Sequence, residues 1–273
     1  MSSIKLFRGE FGHVSVLSAA SDLVTHAHPE VHLIIWLDGT PGTMQIGEAS
    51  VALGPPVAAG VNSFEPHSHS FAEGSTPGLF LCFYIHPDWA LPRRGLPAQA
   101  RLFRKAAIAL DPWLQEAAAG LFARLTQLPD ADDLAAYEIE RLIDSLMDAA
   151  EAGEGRACAP ARHGYDFRVR KAIDLMKANV CERMSLDEVA RSVGLSRPHF
   201  FALFKAQTSL TPNVFWNTLR MEEALRQLQS SEEPLTAVAC NLGFTTQGNF
   251  TRFFRDHAGV PPTLYREAAR LAG

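Results

Sequence analysis

The chain has 273 residues, 47% of them hydrophobic and 20% charged, the balance of an ordinary globular protein long enough for two domains with separate cores. No apolar run reaches membrane-spanning length and the opening MSSIKLFRGE lacks the apolar stretch of a signal peptide, so cytoplasmic residence without membrane attachment is expected. The net charge of −5 divides unevenly: residues 166–273 carry +3 and residues 1–165 carry −8, so only the C-terminal part has the sign that phosphate binding needs.

Residues 1–90 read as β structure. Short apolar runs, Val14–Leu17, Val31–Leu37, Met44–Ile46 and Leu79–Ile85, are separated by glycines and prolines at Gly39, Pro41, Gly42, Gly47, Gly54, Pro55 and Pro56. Strands this short, with turns this frequent, predict a sandwich or small barrel. Within the region stand His26, His28 and His32, and further on His67 and His69. Strand alternation puts the first three on one face, where one of His67 or His69 can join them. Three neutral imidazoles suffice for a divalent metal, which is one reading; the other is that they line a pocket for an organic effector, with no cofactor required. Written as spacings, His26, His28, His32 and Gly39 resemble the first cupin motif, with His32 where that motif carries Glu. Pro66-His67-Ser68-His69 resembles the end of the second. Trp36, Phe80, Phe83, Tyr84 and Trp89 are expected in the core or the pocket wall. Glu30, on the strand parity of the histidines, is a solvated rim residue or else a ligand or a general base.

Residues 97–152 turn alanine- and leucine-rich and predict helices, one starting near Leu102, Ala106 and Ile108 and another carrying Tyr137, Ile139, Leu142, Ile143, Leu146 and Met147. These either pack on the barrel or pair two protomers. Residues 152–165, with Gly153, Gly155, Pro160 and Gly164, read as a linker.

From Ser185 onward one pattern occurs twice. Leu186, Val189, Ala190, Val193, Gly194, Leu195, Ser196, Phe200, Phe204 and Lys205 are matched by Leu235, Val238, Ala239, Leu242, Gly243, Phe244, Thr245, Phe250, Phe254 and Arg255. The copies lie 49 residues apart up to the glycine and 50 apart from the first Phe onward, so the second turn is one residue longer. Each copy predicts a short helix, a glycine turn and a second helix. Ser185 and Glu188 have capping-box spacing, and Ser196 is placed to cap the helix after the turn. This is the helix-turn-helix, whose second helix enters the major groove. A helix from Pro212 to about Gln229, capped by Thr211, connects the copies. Its eighteen residues span roughly 27 Å, against about 34 Å between successive grooves.

The segment Ser185–Arg266 resembles the DNA-binding domain of the AraC/XylS transcription regulators. The matching residues are Ala190, Gly194, Phe204 and Lys205, then Arg220, Ala224 and Leu228, then Gly243-Phe244, Phe250, Phe254, Gly259, Pro262 and Tyr265-Arg266. Pro234 and Ala237 depart from the capping pair of the first copy, and Pro261 stands where the family usually has a capping serine. The resemblance implies an α+β multidomain chain: a cupin-like β-barrel over residues 1–95, a helical packing or dimerisation region over 96–151, the linker, and an all-α tandem helix-turn-helix domain over 166–273. It implies a sequence-specific regulator responding to a small-molecule effector, not an enzyme, with promoter DNA as partner, RNA polymerase if it activates, and a homodimer as its assembly. The alternative is a metal-dependent cupin enzyme fused to a DNA-binding domain.

Exposure on the recognition helices selects the readers. The first offers Arg197, Pro198, Phe201, Ala202 and Lys205; the second offers Gln247, Asn249, Thr251, Arg252 and Arg255. Gln and Asn suit adenine, Arg suits guanine, and Phe201 and Ala202 suit thymine methyls, with core packing as the alternative for Phe201. His199 is expected to pack at the turn. Cys82, Cys158, Cys181 and Cys240 lack metal-finger or CxxC spacing, so reduced, mostly buried thiols are expected.

Overall fold

A computed structural model describes residues 4–72, 76–98, 100–127, 133–152, 166–182 and 184–271; the linker at 153–165 and Cys158 lie outside the described residues. The strands in chain order are β1 (Ile4–Gly9), β2 (Gly12–Ala19), β3 (Leu23–His26), β4 (Val31–Asp38), β5 (Thr43–Ile46), β6 (Ala49–Ala52), β7 (Val57–Val61), β8 (His67–Ser70), β9 (Gly78–Ile85) and, after the short helix α1 (Pro87–Arg93), β10 (Ala107–Ala109). They form two antiparallel sheets, β1-β2-β9-β4-β7-β10 and β3-β8-β5-β6. Among the described residues no ladder joins the two, so the β part is a pair of facing sheets and not a closed ring.

The run Val31–Ile35 is apolar apart from His32 because β4 is covered on both sides. Leu33 and Ile35 face outward with Leu81 and Phe83, under α2 (Pro112–Gln127) and α3 (Asp133–Glu151), whose Leu121, Leu125, Ile139 and Ile143 cover them. Ile34 faces inward with Phe80 and Cys82. The helix expected near Leu102–Ile108 is instead extended: Ile108 sits in β10, which pairs with β7, and helix begins only at Pro112. Three residues are too few to display strand alternation, and the alanines around them mimic a helix. Residues 87–93, partly within the stretch read as β, form α1.

The C-terminal part consists of α4 (Phe167–Ala178), α5 (Leu186–Ser192), α6 (Arg197–Thr208), α7 (Pro212–Ser230), α8 (Leu235–Asn241), α9 (Gln247–Ala258) and α10 (Pro262–Leu271). The capping box is present: Ser185 Oγ accepts from the Glu188 amide at 3.2 Å and Glu188 Oε2 accepts from the Ser185 amide at 2.6 Å. Thr211 caps α7 by accepting from the Val214 amide. Ser196 occupies the cap position of α6 but its side chain makes no capping bond. In the second copy the extra turn residue supplies the cap, since Thr246 and not Thr245 accepts from the Asn249 amide. Gly194 and Gly243 take φ of +71° and +75°, the left-handed conformation that lets each turn leave its first helix.

Phe200 and Phe204 are fully buried with Val189, Phe215 and Trp216, and burial of each such ring contributes about 1.5–3 kcal/mol. Phe250 and Phe254 play the same part in the second unit, but their cluster is continuous with the inner face of the sandwich. The helices dock directly on the sheets, α7 and α9 against β3 and α10 against β1. Of the described cysteines only Cys82 is buried; Cys181 and Cys240 are exposed, contrary to the expectation of mostly buried thiols. Among the described residues no helix is long and apolar enough to cross a membrane.

Candidate functional site: two exposed helix faces and an imidazole pocket

On α6, Arg197, Pro198, Ala202 and Lys205 are exposed, as is His199, which does not pack at the turn. Phe201 is half-buried, edge-on to Phe200. Arg197 is held within its own unit: its Nη1 donates to Asp187 Oδ2 at 2.6 Å and its guanidinium lies 4.9 Å from the centre of the Phe201 ring. An ion pair this exposed contributes about 0–1 kcal/mol, so the arginine is readily released. On α9, Gln247, Asn249, Arg252 and Arg255 are exposed and Thr251 is half-buried, while Arg252 Nη2 donates to Asn249 Oδ1 at 3.1 Å. Both helices therefore keep a polar or cationic face clear of their own cores.

The histidines are gathered by strand register. Across the large sheet His13 pairs with Tyr84 and Tyr84 with His32, so three rings share one face. Tyr84 stacks on His13 at 4.4 Å and on His32 at 4.1 Å between centroids. In the small sheet His26 stands opposite His67. Where the two sheets face each other, His28 bridges the sets, 5.2 Å from His32 and 5.0 Å from His67. His26, His28 and His67 place ring nitrogens within 4.8 Å of one another. His69 lies apart: its Nε2 meets the Pro41 carbonyl at 3.0 Å and its ring packs on Phe71 and Phe80.

Burial is the main cause that lowers these imidazoles, His13 to about 4, His26 to about 3, and His32 and His67 well below the ordinary value. Mutual repulsion among the rings adds to it. Burial opposes the charge of Glu30, yet the adjacent His28, 3.4 Å away, brings its carboxyl down to about 2. Glu30 is thus a half-buried partner of His28.

His13, His26, His28, Glu30 and Tyr84 border a cavity of about 320 Å³ whose walls come from both halves of the chain, while His32 and His67 stand behind that lining. Arg8, His13, His28, Glu30 and Tyr84 belong to the sandwich; Thr218 and Glu222 on α7, His257 on α9 and Tyr265 on α10 face them. Tyr84, expected in the core or the pocket wall, lines the pocket, whereas His13 and His257 were not legible as site residues. Register brings in His13 and domain docking His257, and neither leaves a local sequence signal.

Residues 189–268 match the family described as helix-turn-helix domain. The chain is 24% identical over 249 residues, 88% of its own length and 91% of the relative's, to the probable transcriptional regulator LumQ of Photobacterium leiognathi. It is 30% identical over 98 residues, 36% of its length and 77% of the relative's, to the multiple antibiotic resistance protein MarA of Escherichia coli strain K12. Two further relatives are matched over only 39% and 40% of their length. In fold the whole chain is similar to a lysine-to-alanine variant of ToxT of Vibrio cholerae in its apo form, with a TM-score of 0.59 at 10% identity, covering 96% of this chain and 98% of that one.

Proposed function

This chain belongs to the AraC family of transcription regulators, and on that premise we propose that a ligand in the pocket between its halves governs how its paired helix-turn-helix units sit on a promoter. The observation that carries this reading is that the cavity is walled by both halves, with His28, Glu30 and Tyr84 on one side and Thr218, Glu222 and His257 on the other. A ligand there touches the sandwich and α9 at once, so it has differential contacts with any arrangement in which they separate. ToxT, which shares the fold, has also been solved with an unsaturated fatty acid bound; what we carry over is the class of event, a small molecule held by this architecture.

In this reading the cupin-like sandwich of residues 1–95 is the sensor, residues 96–151 support it and pair two protomers, 152–165 link the halves and 166–273 read DNA. Arg197, Pro198, Phe201, Ala202 and Lys205 enter one major groove. Gln247, Asn249, Thr251, Arg252 and Arg255 enter the next, the 19-residue α7 setting a spacing of about 28 Å. His26, His28, His32 and His67 belong to the effector pocket, and His69 supports the sheet. The protein works in the cytoplasm as a regulator and not as an enzyme, contacting RNA polymerase where it activates.

The test is to select genomic fragments on the full-length protein and measure affinity for the selected fragment and a scrambled one. Roughly 10³-fold or greater preference for the selected fragment is expected. Small organic acids and other candidate effectors are then screened by thermal shift, and a binder is expected to move DNA affinity by about 5-fold or more. Equal affinity for all sequences, or effector binding without change at the promoter, would sink the proposal.

A further inference from the structure

We propose that one divalent transition-metal ion of the zinc class is held at the edge of this pocket by His26, His28 and His67, and that His257 closes on it as the fourth ligand. The ion would then bolt the sandwich to the second recognition helix. This rests on the reading of the pocket as the regulatory site and names one of its ligands.

The four imidazoles share an unusual arrangement. Each Nδ1 lies at a backbone carbonyl: His26 at Val24 (2.8 Å), His28 at Glu30 (3.1 Å), His67 at Glu65 (2.9 Å) and His257 at Phe253 (2.7 Å). A carbonyl only accepts, so each Nδ1 carries the hydrogen and the neutral ring keeps its lone pair on Nε2. That is the way outer-shell carbonyls orient metal-binding histidines. The Nε2 atoms of His28, His67 and His257 are buried without any hydrogen-bond partner. Buried polar atoms are nearly always satisfied, and the ring nitrogens of His26, His28 and His67, within 4.8 Å of one another, are placed to share a cation.

Distances agree. With metal–nitrogen bonds of about 2.0–2.1 Å, rings around a tetrahedral ion have centroids about 5 Å apart. The sandwich rings are at 4.3, 5.0 and 6.0 Å, and His257 approaches His26 edge-on at 6.0 Å. A set in which, among the described residues, only imidazoles come together suits zinc, cobalt, nickel or copper and not magnesium or calcium. The competing fourth ligand is His32, 5.2 Å from His28 but stacked flat on Tyr84. His257 follows Arg252 by five residues and Arg255 by two on the same helix, so its ligation fixes where those arginines point.

The experiment uses full-length protein purified without a histidine tag and stripped with chelator. Titration with Co²⁺ is expected to give visible tetrahedral bands saturating at one equivalent, with Zn²⁺ displacing cobalt. His28→Gln and His67→Gln should weaken binding by roughly 100-fold or more, beyond the 10–100-fold typical of an outer-shell partner, with unchanged circular dichroism confirming that they fold. His257→Gln should keep one equivalent, lose the tetrahedral signature and abolish any effect of metal on affinity for the selected promoter fragment. Absence of stoichiometric binding by the wild type overturns the proposal. An unaltered cobalt spectrum in His257→Gln, with loss in His32→Gln, overturns the cross-domain bolt. If an organic effector still shifts promoter affinity while metal does not bind, this inference alone falls; if neither does, the pocket reading falls with it.

Discussion

The Thr218 hydroxyl donates to the Ala27 carbonyl at 2.7 Å, from the middle of α7 to the loop that leaves β3. Both residues are buried, and the Ala27 side chain lies in the core of the first helix-turn-helix unit. The residues on either side, His26 and His28, line the interdomain pocket. One short loop is therefore tied to the strut between the two reading units.

Thr218→Val removes the donor and keeps the shape. With the Ala27 carbonyl left without this partner, the loss should be about 1–3 kcal/mol, read as a lowered melting temperature. Amide exchange should rise around residues 24–30 and leave α2 and α3 protected. Faster exchange throughout the chain would show that the contact is not local to the interface.

Arg252→Ala should cost about 1–3 kcal/mol of promoter binding and relax preference at one base pair. Lys205→Ala should weaken all sequences alike and flatten the dependence on salt. Anisotropy titrations against single-base variants at several salt concentrations separate the two. A uniform loss with Arg252→Ala would make that residue a phosphate clamp.

Asp187→Asn frees Arg197. The exposed pair contributes at most about 1 kcal/mol, so the melting temperature should hardly move while DNA affinity rises. Unchanged affinity would mean that Arg197 does not reach the duplex.

Burial first, then the charge of Glu30, raises the Glu222 carboxyl to about 7, against the pull of His28 and Lys177. Between the ordinary value of 4.5 and about 7 the folded chain holds a proton that the unfolded chain has released. This carboxyl thus favours the folded state at acid pH, and the advantage disappears as pH rises through 7. The lowered imidazoles act oppositely: the stability they confer is present above 6.5 and is lost as pH falls toward 4 for His13 and 3 for His26. Comparing Glu222→Gln with the wild type isolates the first effect. The stability of the variant relative to the wild type should grow from about pH 5 to about pH 8. A difference constant across that range would remove Glu222 from the account.

The twin helices were legible because each rests on local chemistry: the Ser185–Glu188 box, the glycines at 194 and 243, and phenylalanines spaced to share one face. Even the one-residue insertion could be read, though the cap it supplies at Thr246 could not be told from Thr245. The imidazole cluster was half legible. His26 and His28 announce themselves as neighbours, and His67 follows by sheet pairing. His13 and Tyr84 belong to it only through β2-β9-β4 register, and His257 only because α9 docks on β3. The residues around Ile108 misled because an edge strand of three residues, set among alanines, offers no period to detect.

The segment from His26 to His28 is so short that its members cannot move independently, although their surroundings lie on different branches of the protein. One additional amino acid inserted after Ala27 should leave each half able to fold while throwing their alignment out of phase. Such a chain should still grip its operator yet no longer hear the signal, deaf without being denatured.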